Sequence, residues 1–147
     1  MKSQGVLNPD ISELVARMGH GDGLAVTDRG FPLPSKGEIT VADVSVGPNL
    51  PGAVDVVETI LYELEIEEVI IADETEEESP QIYENFIELL EERDNKGKDI
   101  VVTKTTHPEF KDMVLGQGYE RGNMKGLVRT GELTPYANII LVSGVTF

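Results

Sequence analysis

Two histidines, His20 and His107, are the only imidazoles in the chain and the residues best suited to proton transfer. An imidazole has a reference pKa of about 6.5, so it can donate and accept a proton at cellular pH. Each histidine lies at a predicted helix boundary beside the end of a predicted strand. Exposed loop or capping roles fit these positions equally well, so position alone leaves acid–base chemistry as one of two interpretations.

Three further polar residues border predicted strands. Asp28 follows the apolar run Leu24–Thr27, and Tyr136 and Asn138 come just before the last apolar run. The carboxylate of Asp28 could cap backbone N–H groups in a turn, orient a histidine or bind a hydroxyl group of a ligand. Tyr136 and Asn138 could equally be turn residues beside Pro135, so all three are candidates rather than assignments.

The usual signals of metal, thiol or nucleotide chemistry are missing from the sequence. It has no cysteine, no HExxH pattern and no suitably spaced histidine cluster. Gly19–Gly23 reads GHGDG, which matches neither a phosphate-binding loop nor a dinucleotide-binding fingerprint. The acidic run Asp73–Glu78 is interpreted as a solvated loop rather than a metal site. We therefore expect chemistry that uses neither a metal nor another cofactor.

Composition limits the partners and the location that we expect. The chain has 147 residues, of which 12 are Lys or Arg and 27 are Asp or Glu, giving a net charge of -15. A surface this negative repels phosphate backbones and anionic lipids, so nucleic-acid binding and membrane binding are disfavoured. Residues 1–147 are expected to form a single domain. Because no apolar leader or membrane-spanning segment is evident, a cytoplasmic location is expected.

Apolar periodicity predicts a chain in which helices and strands alternate. Four predicted helices each begin near a proline, at Pro9, Pro51, Pro80 and Pro108, and the third is expected to end near Gly97. The predicted strands are Leu24–Thr27, Ile39–Val46, Val69–Ala72, Ile100–Thr103, Leu127–Arg129 and Ile139–Val142. This order is typical of an α/β fold, here a three-layer α/β/α domain with a mostly parallel sheet of about six strands.

Such a sheet predicts where the polar candidates lie. In parallel sheets, ligands bind at the carboxyl ends of the strands, where Asp28 and His107 are expected to converge. Tyr136 and Asn138 precede the last strand and should therefore lie on the opposite side of their own sheet. A strand of five or six residues spans about 17–20 Å, so one small ligand could not contact all four side chains within a single subunit.

A series of segments resembles the D-ribose pyranases in order and spacing: LNPDIS, MGHGD, TDRGFPLP, TTHPEFK, RTGE, TPYANIIL and the ending GVTF. The resemblance extends from about Gly5 to Phe147, and its C-terminal block is highly specific. The related L-fucose mutarotases share the opening helix followed by Gly-His and Asp. The segments TTHPEFK and PYAN resemble the pyranase branch, which decides between the two.

This resemblance implies a metal-free isomerase that interconverts the pyranose and furanose forms of D-ribose. The catalytic acid would be His20, and the sugar would be bound by Asp28, by His107 and by the segment Tyr136, Ala137 and Asn138. Two alternatives stay open. One is a mutarotase for L-fucose or another sugar, and the other is a non-catalytic sugar-binding module associated with sugar uptake.

The resemblance also implies a homo-oligomer. Family members form decamers of two pentameric rings, with each site between neighbouring subunits, so Tyr136 and Asn138 would serve the pocket of the next subunit. Three features depart from the family pattern. Gly21-Asp22-Gly23 lies nearer the L-fucose mutarotase branch. Arg29 replaces a small residue, and either contacts a sugar hydroxyl or narrows the mouth of the pocket. Gly116–Gly126 is longer than usual, and is either a mobile flap or a harmless surface loop.

Overall fold

The computed structural model describes residues 1–35, 37, 39–94 and 99–147. Within these ranges the chain forms five helices and six strands. The helices are α1 Pro9–Ala16, α2 Ala53–Leu61, α3 Asp73–Glu78, α4 Pro80–Asp94 and α5 His107–Val114. The strands are β1 Gly23–Thr27, β2 Thr40–Asp43, β3 Ile66–Ala72, β4 Val101–Thr105, β5 Met124–Arg129 and β6 Ile139–Ser143.

All six strands belong to one sheet, in the order β2-β5-β1-β6-β3-β4. Strand β1 runs parallel to β5, which runs parallel to β2, and β3 runs parallel to β4. Strand β6 is antiparallel to both of its neighbours, β1 and β3. Five strands therefore share one direction, and the predicted α/β fold with a mostly parallel sheet is confirmed.

Both faces of the sheet are covered, because the central strands alternate their side chains between two hydrophobic cores. Leu24 and Val26 of β1 pack in a core with helices α1, α2 and α4, whereas Ala25 packs in a second core with α5. The largest anchors of the two cores are Phe86 and Phe110, both fully buried. No helix in the described ranges is long and apolar enough to cross a membrane.

The four predicted helices begin within two residues of the predicted prolines, but the structure differs from the prediction in the end of α1 and in the acidic run. Asn8 caps α1 by accepting hydrogen bonds from the N–H groups of Asp10 and Ile11, but α1 ends at Ala16, before Gly19. The run Asp73–Glu78 is helix α3, so the prediction of a solvated loop is wrong. Acidic residues in a first helical turn are stabilised by the helix dipole, and α3 starts with them. The predicted helix end near Gly97 lies outside the described residues.

The direction of β6 corrects one prediction about the site. Because β6 is antiparallel, its amino end meets the carboxyl ends of its neighbours: Ile139 pairs with Val26 of β1 and with Ile71 of β3. Tyr136 and Asn138, which precede β6, therefore lie at the same edge of the sheet as Asp28. The prediction that they lie on the opposite side is wrong.

Candidate active site

Asp28 and Asn138 form a buried, doubly hydrogen-bonded pair at the end of β1. Asn138 donates from Nδ2 to Asp28 Oδ2 at 3.0 Å, and its Oδ1 accepts from the Asp28 backbone N–H at 2.9 Å. Asn138 is fully buried, and Asp28 is 8% exposed. Two bonds to one amide fix the orientation of the carboxylate, so Asn138 acts on any ligand through Asp28.

His107 opens helix α5 at the same edge of the sheet. Thr106 caps this helix with a capping box, in which Thr106 Oγ1 accepts from Glu109 N–H and the Glu109 carboxylate accepts from Thr106 N–H. The backbone N–H of His107 donates to Glu74 Oε2 of α3 at 2.9 Å. The predicted acidic run thus has a structural role, because it holds the start of the helix that carries His107.

The imidazole of His107 is framed by aromatic rings. It packs edge-to-face against Tyr136, with ring centroids 5.0 Å apart, and against Phe31 at 6.4 Å. Two buried side-chain polar atoms in the described part of the chain have no hydrogen-bond partner, and one of them is His107 Nδ1. A buried ring nitrogen without a partner is costly unless a ligand or water satisfies it.

Burial shifts the pKa values of Asp28 and His107 in the directions that favour their neutral forms. Burial raises the pKa of the Asp28 carboxyl above its ordinary value, although Asn138 and nearby backbone N–H groups oppose this shift. Burial lowers the pKa of His107, and the charge of Lys111 adds to this effect. A histidine with a lowered pKa is neutral at pH 7, so His107 is suited to accept a proton.

Tyr136 is held over the site by its backbone. Its φ angle is 59°, in the left-handed region that non-glycine residues rarely adopt. Its carbonyl oxygen accepts from Thr75 Oγ1 at 2.7 Å, and the carbonyl of Pro135 accepts from Ser79 Oγ at 2.6 Å. These bonds tie the segment to α3 and to the start of α4. Ala137 is fully buried in the hydrophobic core, so its contribution is to packing behind the site.

Asp28, His107 and Tyr136 line one cavity of about 440 Å³. That volume lies in the range of small-molecule sites, which are about 300–1,000 Å³. The convergence of Asp28 and His107 is confirmed, and Tyr136 joins them from the same chain. Arg29, expected at the mouth of the pocket, also lines it. The remaining lining residues were not predicted: all but Leu133 lie in the segments TDRGFPLP, TTHPEFK and TPYANIIL, but a matching segment does not say which of its side chains face a ligand. The full lining is Asp28, Arg29, Gly30, Phe31, Pro32, His107, Lys111, Leu133, Pro135 and Tyr136.

His20 lies far from this cavity within the same chain. Its side chain is 61% exposed, and its Nε2 lies 3.0 Å from the carboxylate of Glu67, near the start of β3. His20 precedes β1 and Asp28 follows it. Since β1 has five residues, at about 3.3 Å per residue the two side chains are roughly 17 Å apart. One small ligand therefore cannot contact both within one subunit.

The loop that carries His20 is nevertheless well fixed. Asp22 Oδ2 accepts from Gly19 N–H at 2.8 Å, and Asp22 Oδ1 accepts from Asn123 N–H at 3.0 Å. Burial would raise the pKa of Asp22, but these bonds together with the nearby Lys125 outweigh it and lower the pKa. Tyr119 Oη donates to the carbonyl of Gly21 at 2.7 Å. The segment Gly116–Gly126 thus braces the His20 loop, and does not cover the cavity as a flap.

Similarity to known proteins extends over the whole chain. The D-ribose pyranase of Petrotoga mobilis is 41% identical over 147 residues, and that of Escherichia coli O1:K1 is 38% identical over 148 residues, each with 100% of both chains covered. The structure of Bacillus subtilis RbsD complexed with D-ribose matches with a TM-score of 0.83 and 31% identity, again with 100% of both chains covered. The resemblance found in the sequence motifs is therefore confirmed. With a family model that matches residues 1–146, this chain belongs to the RbsD / FucU transport protein family.

Proposed function

We propose that this protein is a D-ribose pyranase, which interconverts the pyranose and furanose forms of D-ribose by proton transfer. The observation that carries the proposal is the cavity of about 440 Å³, which is lined by both a buried carboxylate, Asp28, and a histidine with a lowered pKa, His107. The names of the relatives support ribose as the sugar, since proteins at 38–41% identity are D-ribose pyranases. Metal and redox cofactors have no part in this proposal, because the reaction needs only proton transfer.

The sugar is bound by polar groups and one aromatic ring. Asp28, fixed by Asn138, accepts hydrogen bonds from sugar hydroxyl groups, and Tyr136 supplies a ring face and a phenol at the rim. A neutral sugar suits this part of the cavity because its hydroxyl groups can donate to the buried Asp28 carboxylate without adding a second charge beside it. Binding of a hydroxyl group satisfies the acceptor capacity of the buried carboxylate.

Ring opening requires one proton to arrive and another to leave. His20, in its protonated form, donates a proton to the ring oxygen as the bond from that oxygen to the anomeric carbon breaks. His107, which is neutral at pH 7, accepts the proton of the anomeric hydroxyl group, directly or through water, as the aldehyde forms. Proton transfer by a placed side chain contributes about 10² to 10⁴ in rate.

Reclosure uses the same groups in the opposite sense. After rotation about the bond beside the aldehyde, a different hydroxyl oxygen attacks the aldehyde carbon and closes the five-membered ring. The attacking hydroxyl loses its proton to the imidazole of His20, and the aldehyde oxygen regains a proton from His107. Both histidines return to their starting states, so no atom or electron is gained or lost.

The proposal requires His20 to come from a neighbouring subunit. Within one chain, His20 and the cavity are at opposite ends of the sheet, separated by the five residues of β1. A head-to-tail interface, which brings one end of a subunit against the other end of the next, generates a ring when the rotation between neighbours closes and a filament when it does not. We therefore propose a ring-forming homo-oligomer, and more specifically a decamer of two pentamers. We also propose that the protein is cytoplasmic.

Saturation-transfer NMR of D-ribose tests the proposed activity, because it measures exchange between ring forms directly. The wild-type protein is expected to speed this exchange, and His20→Gln is expected to reduce the enzymatic rate at least about tenfold. Glu13→Gln, which removes one carboxylate from an exposed ion pair on α1, is the matched control and should exchange ribose normally.

Two results would contradict the proposal. If ribose signals shift without faster exchange, the protein is a sugar-binding module rather than an isomerase. If exchange is fast for L-fucose and absent for ribose under the same conditions, the protein is a mutarotase for a different sugar. Spontaneous exchange, measured without protein at the same pH, must be subtracted in each case.

A further inference from the structure

Glu67 contacts His20 through both of its carboxylate oxygens. His20 Nε2 lies 3.0 Å from Glu67 Oε1 and 3.0 Å from Oε2. An ionised carboxylate can only accept hydrogen bonds, so Nε2 must carry the proton and donate it. The other ring nitrogen, Nδ1, is then the one left for a ligand. This arrangement resembles the way in which a carboxylate fixes the tautomer of a histidine in many catalytic sites.

Glu67 lies at an irregularity in the pairing of β3 with β6. The pairing of β3 with β6 is irregular between Ile66 and Glu68, where Ile66 pairs with Ser143 and Glu68 with Val142. An irregularity of this kind leaves Glu67 out of the regular ladder, and a bulge changes the direction of the side chain that it contains. Regular strand geometry therefore does not set the direction of the Glu67 side chain.

Gly144 gives the bulged residue room. A methyl group added at Gly144 would lie 3.1 Å from Glu67 Cβ and 3.2 Å from its backbone nitrogen. The N–H of Gly144 also donates to the carbonyl of Glu65 at 2.9 Å. The end of β6 thus supports the start of β3 at the residue that contacts His20.

The neighbouring carboxylates are already paired with cations. Asp22, on the His20 loop, has Lys125 of β5 within 3.4 Å, and Glu68 binds Arg121 at 2.5 Å. In the described part of the chain, the ion pair of Glu67 is the one with His20. Its charge is therefore available to the imidazole rather than to a lysine or arginine.

We infer that Glu67 is a positioning residue for His20, which holds the imidazole through Nε2 and leaves Nδ1 to exchange the proton with the sugar. The inference rests on the proposed function for the role of His20, but the contact itself does not. Glu67 does not touch the sugar in this account. Its loss should lower kcat and leave KM nearly unchanged.

The experiment combines kinetics with NMR of the imidazole nitrogens. With two histidines in the chain, the ring ¹⁵N signals of His20 are assigned by comparison with His107→Gln. The wild type should show a single Nε2–H tautomer for neutral His20. Glu67→Ala should show averaged ¹⁵N shifts of two tautomers and ribose exchange reduced about twofold to fivefold, since an exposed pair contributes modestly. Glu67→Gln keeps an acceptor and should be intermediate, and Glu13→Gln is again the unaffected control.

A double variant separates this inference from the proposed function. If Glu67 acts through His20, adding Glu67→Ala to His20→Gln should cause no further loss of exchange. Normal exchange by His20→Gln would refute the catalytic role of His20, yet the tautomer of Glu67→Ala would still report on the contact. Unchanged tautomer and unchanged exchange in Glu67→Ala would overturn the inference, and so would a loss that adds fully to that of His20→Gln.

Discussion

Replacing Asn138 by alanine should destabilise the protein and disable the cavity at the same time. The substitution removes the Nδ2 hydrogen bond to the Asp28 carboxylate and the Oδ1 acceptor of the Asp28 backbone N–H, at a position that is fully buried. The small alanine side chain cannot replace either bond. The carboxylate of Asp28 then loses its fixed orientation, so ribose exchange should fall together with stability.

The size of the effect follows from these two bonds. A hydrogen bond to a charged group contributes about 1.5–3 kcal/mol, and a buried N–H left without a partner costs about 1–3 kcal/mol. We therefore expect a loss of about 3–5 kcal/mol in the free energy of unfolding, which would lower Tm by roughly 10–15 °C for a domain of this size. Thermal unfolding followed by circular dichroism, at a fixed protein concentration because assembly adds stability, measures this.

Asn85→Ala is the matched control. Asn85 is a half-buried residue of α4 whose Oδ1 accepts an exposed hydrogen bond from Gln81 Nε2, and its loss should change stability by less than about 0.5 kcal/mol. If Asn138→Ala unfolds within about 1 kcal/mol of the wild type, the Asp28–Asn138 pair does not contribute as the two hydrogen bonds require. Full ribose exchange by that variant would show that Asp28 needs no support from Asn138.

Two further predictions follow from the pKa shifts at the cavity. Because burial raises the pKa of Asp28, this group stabilises the folded state below its unfolded pKa and loses that contribution as pH rises through the folded value. Asp28→Asn should therefore be at least as stable as the wild type at pH 7 while exchanging ribose poorly. A lower stability of this variant in urea denaturation would contradict the upward direction of the Asp28 pKa shift. Because burial lowers the pKa of His107, this group contributes to stability above its unfolded pKa, and the contribution is lost as pH falls through the folded pKa. Stability and ribose exchange should therefore both decline on the acid side. If the stability of His107→Gln declines equally in acid, protonation of His107 is not the cause.

Apolar patterns in the sequence were sufficient to predict most of the fold. Each predicted strand corresponds to a strand of the sheet, since buried strands such as β3 and β6 must be apolar on both faces. The direction of a strand has no such signal. Ile139–Ser143 would read the same if it were parallel to its neighbours, so the antiparallel β6 and the resulting position of Tyr136 could not be predicted.

The sequence predicts part of the arrangement around the cavity, and the rest depends on the tertiary fold. Asp28 and His107 were placed together correctly, because both follow parallel strands. His20 was assigned to the same site through the family resemblance, although the fold puts it at the other end of β1. Lys111 and Phe31 lie within the segments TTHPEFK and TDRGFPLP, but their position in the lining of the cavity depends on the tertiary packing of α5 and of the turn after Asp28, which those segments do not specify.

The central claim is that each site combines His20 of one subunit with the cavity of the next. Co-refolding inactive His20→Gln subunits with inactive Asp28→Asn subunits in equal amounts tests it most directly, with mass spectrometry to verify that the rings are mixed. In a ring with head-to-tail interfaces, random mixing gives about one quarter of the interfaces an intact His20 and an intact Asp28. We predict that ribose exchange recovers to about that fraction of the wild-type rate. No recovery from demonstrably mixed rings, or full activity of an isolated wild-type monomer, would contradict the shared site.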